Sequence, residues 1–153
     1  LRWLGYGVLA APGLIYFLPM FTPVPTLVYR QTGDSMPKGI YVFTHLPPVT
    51  EGEVMVMRDP PDFELPWLMK RVSAVRGAVY CWDARSGTQQ LNGTAMPPPI
   101  GGEIGLRPWT GCKVLEADEV VGYGISADSY DSRYLGPIRQ AQLQGAYRLI
   151  WPE

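Results

Sequence analysis

Histidine and cysteine are almost missing from this chain: among 153 residues His45 is the single histidine, and Cys81 and Cys112 are the two cysteines. Three such groups are too few for a zinc site unless carboxylates join them, so neither a metal nor a cofactor is expected. A Ser-His-Asp triad would rest entirely on His45. An excess of charge of either sign is missing as well. With 13 basic and 14 acidic residues the net charge is -1, and nothing marks a nucleic-acid partner. There is no internal repeat and no low-complexity tail. The 17 glycines and 16 prolines leave little room for long helices outside the N-terminus.

What is present is a β pattern in a chain long enough for one domain with a sizeable core. Residues 26–29, 40–43, 54–58, 67–75, 79–82, 113–115, 120–125 and 147–151 carry the β-branched and aromatic side chains of strands, separated by Gly, Pro and Asp clusters. The expected fold is all-β and antiparallel, with coiled, partly barrel-like sheets. Val54, Met55, Val56 and Met57 make both faces of one strand apolar, which predicts a central, buried position. Pro137 is expected to open one helical turn over 138–143, and Gly145 to release the chain into the last strand. Cys81 and Cys112 suit a disulfide in an oxidising compartment, but their spacing does not fix a distance.

Residues 4–21 carry no charge, Arg2 precedes them, and Trp3, Tyr6 and Tyr16 supply amphipathic rings. That length just suffices for a membrane span. A cleaved signal peptide and a buried core helix are the rivals; Pro12 directly after Ala10-Ala11, with apolar sequence continuing beyond, speaks against cleavage. The reading is an uncleaved transmembrane helix over 1–21, in the lipid bilayer, followed by a catalytic domain over 22–153. Arg2 on the cytoplasmic side puts that domain across the membrane. Thr22-Pro23-Val24-Pro25 then reads as a stiff spacer, which holds the start of the domain close to the lipid surface.

Two stretches invite chemistry. In Thr32-Gly33-Asp34-Ser35-Met36-Pro37-Lys38-Gly39, glycines and a proline restrict the backbone around a serine. It reads either as an ordinary turn with a solvated hydroxyl or as a ledge for a nucleophile. In Leu68-Met69-Lys70-Arg71-Val72, a lysine rises out of an apolar run. It is either a solvated surface cation or a desolvated amine of lowered pKa, which a serine nucleophile lacking histidine requires.

Ser35-x-Pro37-x-Gly39-x-Tyr41, then Glu51-Gly52-Glu53-Val54-Met55-Val56, Lys70-Arg71-Val72, Leu91-Asn92-Gly93 and finally Asp128-Ser129-Tyr130-Asp131-Ser132-Arg133-Tyr134-Leu135-Gly136-Pro137 resemble, in order, the boxes of the type I signal peptidases. More closely they resemble the branch that contains the conjugative-transfer peptidases of the TraF type, over residues 32–151. The resemblance makes Ser35 the nucleophile and Lys70 the general base of a Ser-Lys dyad. Ser129 becomes the hydroxyl that orients the lysine amine, and Asp131 and Arg133 a supporting ion pair. General signal peptidases have one more residue between Met and Pro, and many carry a hydroxyl residue where this chain has Gly33. The oxyanion hole then uses the Ser35 backbone N–H, with or without Thr32.

The resemblance implies a serine endopeptidase of the bacterial inner membrane, with its catalytic domain on the periplasmic side. Its partner would be a membrane-bound exported precursor, a conjugative pilin within a conjugative-transfer or type IV secretion system, cleaved and then either released or cyclised. The rival readings are a general signal peptidase, a non-catalytic membrane-tethered β-scaffold of the secretion apparatus, and a self-cleaving Ser-Lys switch of the repressor type. No separate DNA-binding segment precedes the serine, which speaks against the last.

Overall fold

The computed structural model describes residues 24–58, 66–100 and 105–153. The expected anchor over 1–21 lies outside them. Among the described residues no helix is long and apolar enough to cross a membrane. These residues form eleven strands: β1 Val28–Gln31, β2 Gly39–His45, β3 Val54–Arg58, β4 Trp67–Ala74, β5 Val79–Asp83, β6 Thr88–Leu91, β7 Thr94–Ala95, β8 Cys112–Val114, β9 Glu119–Tyr123, β10 Ile138–Arg139 and β11 Leu143–Pro152.

Every ladder is antiparallel, and the strands divide into a seven-stranded sheet in the order β1-β2-β11-β3-β4-β9-β10 and a four-stranded sheet in the order β7-β6-β5-β8. The large sheet does not close, since β1 and β10 remain edges. It does coil: Tyr29 of β1 meets Trp67 of β4 at 4.7 Å between ring centroids, although three strands separate them in the sheet. Right-handed strand twist, accumulated over those ladders, brings the two together.

Strand β3 explains why a chain this short sustains two cores on one sheet. Val54 and Val56 point into a cluster with Tyr29, Met36, Tyr41, Met69 and Tyr147, while Met55 and Met57 point into a second with Leu68, Val72, Val120 and Leu143. All four are buried, as the two-faced apolar pattern predicts. Each contributes about 1.5–3 kcal/mol of burial. A third cluster, with Tyr80, Leu115, Val121 and Tyr123, joins the small sheet to β9. Cys81 and Cys112 are register partners across β5 and β8 and form a disulfide.

Several local expectations are corrected. The helical turn forms at Ser132–Leu135, before Pro137 rather than after it, because the Asp131 side chain accepts the Arg133 N–H and caps it. Ile138 instead pairs with Val120, and only a 3-10 turn follows at Gln140–Gln142. Gly145 lies within β11 rather than ahead of it: its φ is 147°, a Cβ there would strike the His45 carbonyl, and the register with β3 shifts beside it. Strands β6 and β7 are a hairpin that the sequence pattern did not announce.

Candidate functional site

The serine turn is fastened at both ends. Gln31 Nε2 donates to the Gly33 carbonyl at 3.1 Å, and Tyr41 Oη donates to the Pro37 carbonyl at 2.9 Å. Met36, 1 % exposed, plugs into the inner core beside Met69. Gly39 has φ 143°, and a Cβ there would collide with the Trp151 carbonyl, so only glycine lets β2 start against the end of β11. Ser35 is left half-buried on this ledge, and its carbonyl accepts the Ile125 N–H at 2.8 Å. The backbone of the turn is thereby tied into the fold.

Lys70 lies mid-strand in β4 and is 3 % exposed. It stands opposite Met55 in the ladder and next to Gly122, where an added Cβ would come 3.3 Å from the Lys70 Cβ. Burial pulls its pKa down from 10.5 to about 8; Asp131 and Asp128 act to raise it, and Arg133 to lower it. On the edge facing away from β3, pairing with β9 begins only at Arg71, so residues 67–70 offer an unpaired strand edge among the described residues. A cavity of 310 Å³ opens there, lined by Thr32, Gly33, Ser35, Trp67, Leu68 and Lys70 among others. Serine and lysine thus share one cleft.

The loop before the short helix lies beside the serine turn. Ser129 is 4 % exposed, and its Oγ has no hydrogen-bond partner among the described residues. A Cβ on Gly124 would collide with that Oγ and come 2.8 Å from the Ser35 carbonyl, so the missing side chain of Gly124 is what brings Ser129 beside the serine turn. Asp131 and Arg133 are 0 % and 1 % exposed, a buried bidentate pair rather than a solvated turn pair, with Arg133 Nε and Nη2 on the carboxylate at 2.9 and 2.7 Å. Besides capping the helix, the Asp131 carboxylate accepts the Gly124 N–H at 2.8 Å. Arg133 also donates to the Ala127 and Ser126 carbonyls, both at 2.8 Å, and so fixes the loop that carries Ser129.

A family model described as signal peptidase, peptidase S26, matches residues 3–152. The chain belongs to the signal peptidase family. None of the curated proteins matches it. Membership carries serine peptidase activity on exported precursor proteins, and the architecture, antiparallel β with almost no helix, agrees with it.

Within this signal peptidase the histidine alternative loses its ground. His45 sits at the exposed end of β2, its Nε2 2.8 Å from Glu53 Oε1, which raises its pKa. It lines a separate 410 Å³ groove with Tyr41, Glu53 and Arg71, not the cleft that Ser35 and Lys70 share. A 470 Å³ concavity between residues 73–78 and the β6–β7 hairpin holds none of the candidate residues. Thr32 lines the cleft with an exposed side chain. No group of His, Cys, Asp and Glu among the described residues has the arrangement of a metal site. Sequence reasoning missed Gly124, although glycines at 122 and 124 in an apolar strand are a readable sign of close approach.

Proposed function

We propose that the chain is a membrane-anchored Ser-Lys endopeptidase that cleaves an exported precursor outside the cytoplasm. The observation that carries this reading is Lys70, buried in β4, lining the same cleft as Ser35, its pKa lowered to about 8. The neutral Lys70 amine takes the proton of Ser35 Oγ as that oxygen attacks the scissile carbonyl, and the resulting ammonium returns the proton to the departing amine. Water, activated by the same lysine, then releases the acyl group. The unpartnered Ser129 hydroxyl supports a role in aiming the amine, and the buried Asp131–Arg133 pair supports one in holding Ser129. The Ser35 N–H, with Thr32 beside it in the cleft, is the oxyanion donor. The unpaired edge of β4 suits a substrate bound as an added strand.

The Cys81–Cys112 bridge supports a location in an oxidising compartment, the periplasm, as does the apolar run over 4–21. Resemblance to the conjugative-transfer branch supports a pilin precursor as substrate. That branch includes members that pass the acyl group from the serine to the substrate's own amino terminus, which needs only an amine bound where water would attack. Co-expression with a candidate pilin precursor, read by intact mass, tests each level. Wild type yields a product one water lighter than the linear processed chain if it cyclises and the linear mass if it hydrolyses, and Ser35→Ala leaves the precursor whole. Processing by Ser35→Ala removes the serine from the mechanism.

A further inference from the structure

Where the four-stranded sheet meets residues 131–136 there is a second buried polar cluster, outside the cleft. Tyr80 of β5 is 0 % exposed; its hydroxyl donates to the Ser132 carbonyl at 2.8 Å and lies 2.9 Å from Tyr123 Oη. Gln89 of β6, likewise buried, donates its amide protons to the Arg133 carbonyl at 2.9 Å and the Trp109 carbonyl at 3.0 Å. Trp109 stacks on Tyr80 with ring centroids 4.8 Å apart, and its backbone N–H reaches the Arg133 carbonyl at 2.9 Å.

Gln89 Oε1, however, has no partner among the described residues. A stranded buried acceptor is costly, and an apolar side chain of the same length avoids it, so filling space does not account for a glutamine here. What its amide holds does. The carbonyl of Arg133 is gripped by the small sheet, while the guanidinium of the same residue grips Asp131 and the carbonyls of residues 126 and 127.

We propose that Gln89 and Tyr80 are positioning residues of the peptidase reaction: by clamping the Arg133 and Ser132 carbonyls from the second sheet, they hold the Asp131–Arg133 pair and the Ser129 loop in place against Lys70. The inference rests on the Ser35–Lys70 reading above. The charged groups felt by Lys70 are Asp131 and Arg133, on the clamped segment, and Asp128, on the loop that Arg133 holds, whereas its strand neighbour Arg71 is exposed and bonded to the Gly52 carbonyl. A released clamp admits water and unbalances Asp131 against Arg133. Both effects let the lysine keep its proton to higher pH.

The test uses the full chain and a penem-type acylating probe, with the acylation rate followed from about pH 6 to pH 10. Gln89→Met is expected to lower the maximal acylation rate about tenfold at unchanged half-saturating probe, and to raise the midpoint of the pH–rate curve by about half a pH unit or more. Tyr80→Phe keeps the ring against Trp109, loses only the hydroxyl, and should move the midpoint the same way; it decides the matter if Gln89→Met does not accumulate as folded protein. Folded variants with an unmoved midpoint overturn the proposal, even if their rates fall in step with their melting temperatures. Ser35→Ala separates the two readings. If it still acylates, the dyad reading fails; if it is inert while the clamp variants keep the wild-type midpoint, only the clamp falls.

Discussion

Replacing Lys70 by methionine should make the protein more stable while abolishing its activity. Methionine matches the length of the lysine stem and suits the apolar surroundings of Met55 and Gly122. The fall of the lysine pKa from 10.5 to about 8 means that, at neutral pH, the folded chain carries an ammonium it would rather lose. At about 1.36 kcal/mol for each pH unit, that is about 3 kcal/mol of stability forgone. For a domain of this size Lys70→Met should therefore melt about 6–12 °C higher at pH 7.

The sign of the pH dependence follows from linkage. Between pH 8 and 10.5 the unfolded chain binds more protons at this site than the folded one, so wild-type stability rises with pH. Below pH 8 both states are protonated, and the advantage of Lys70→Met is full; by pH 10.5 it has closed. The rate tracks the neutral amine, about one tenth of the molecules at pH 7 and one half at pH 8. Urea unfolding of both proteins across that window, beside precursor cleavage by wild type, gives the two curves. A stability gap that stays constant through pH 10.5, or a rate that is flat through pH 8, refutes the buried-base argument.

Other substitutions probe the frame around the lysine. Ser129→Ala removes a hydroxyl that has no partner to lose, so its melting temperature should stay within about 2 °C of wild type while kcat falls at least about tenfold; equal losses in both would make Ser129 merely structural. Gly124→Ala drives a Cβ into Ser129 Oγ and the Ser35 carbonyl; it should cost about 1–3 kcal/mol in urea unfolding and most of the activity. Arg133→Met leaves the buried Asp131 carboxylate uncompensated and should cost about 3–5 kcal/mol, read in the same way.

What the sequence discloses depends on how local its cause is. Strand β3 is legible residue for residue over Val54–Arg58, because apolar side chains on both faces leave only a buried strand. Strand β6 is Thr-Gln-Gln-Leu, with no apolar alternation, and forms because Asn92 at φ 50° and Gly93 at φ 80° make a two-residue turn back to Thr94. Only that Asn-Gly pair was there to be read. Ser35 and Lys70 stand out as local oddities, a serine on a constrained turn and a lysine in an apolar strand. Ser129, Asp131 and Arg133 stood out only through the resemblance, since a turn charge pair looks solvated until tertiary contacts bury it. The grip of Gln89 on Arg133 spans 44 residues, and the two cysteines are 31 apart; no short-range pattern encodes either closure.

In the proposed Ser-Lys mechanism, the buried pair beside Lys70 resolves a conflict that any lysine base faces. A buried amine needs polar neighbours to fix its direction, yet a bare carboxylate within reach would hold it as an ammonium and end its use as a base. Asp131 by itself acts in that direction on Lys70, and Arg133 acts against it. Bonded to each other at 2.7 Å, with further bonds to the Gly124 N–H and to the Ser126 and Ala127 carbonyls, the two present Lys70 with opposing fields and a rigid loop. Burial is then left as the largest influence on the amine. The ion pair thus leaves the lysine pKa low because each partner offsets the other, and in the proposed Ser-Lys mechanism its contribution lies in geometry: it holds the loop that carries Ser129, while the apolar walls of β3 and β4 set how tightly Lys70 holds its proton.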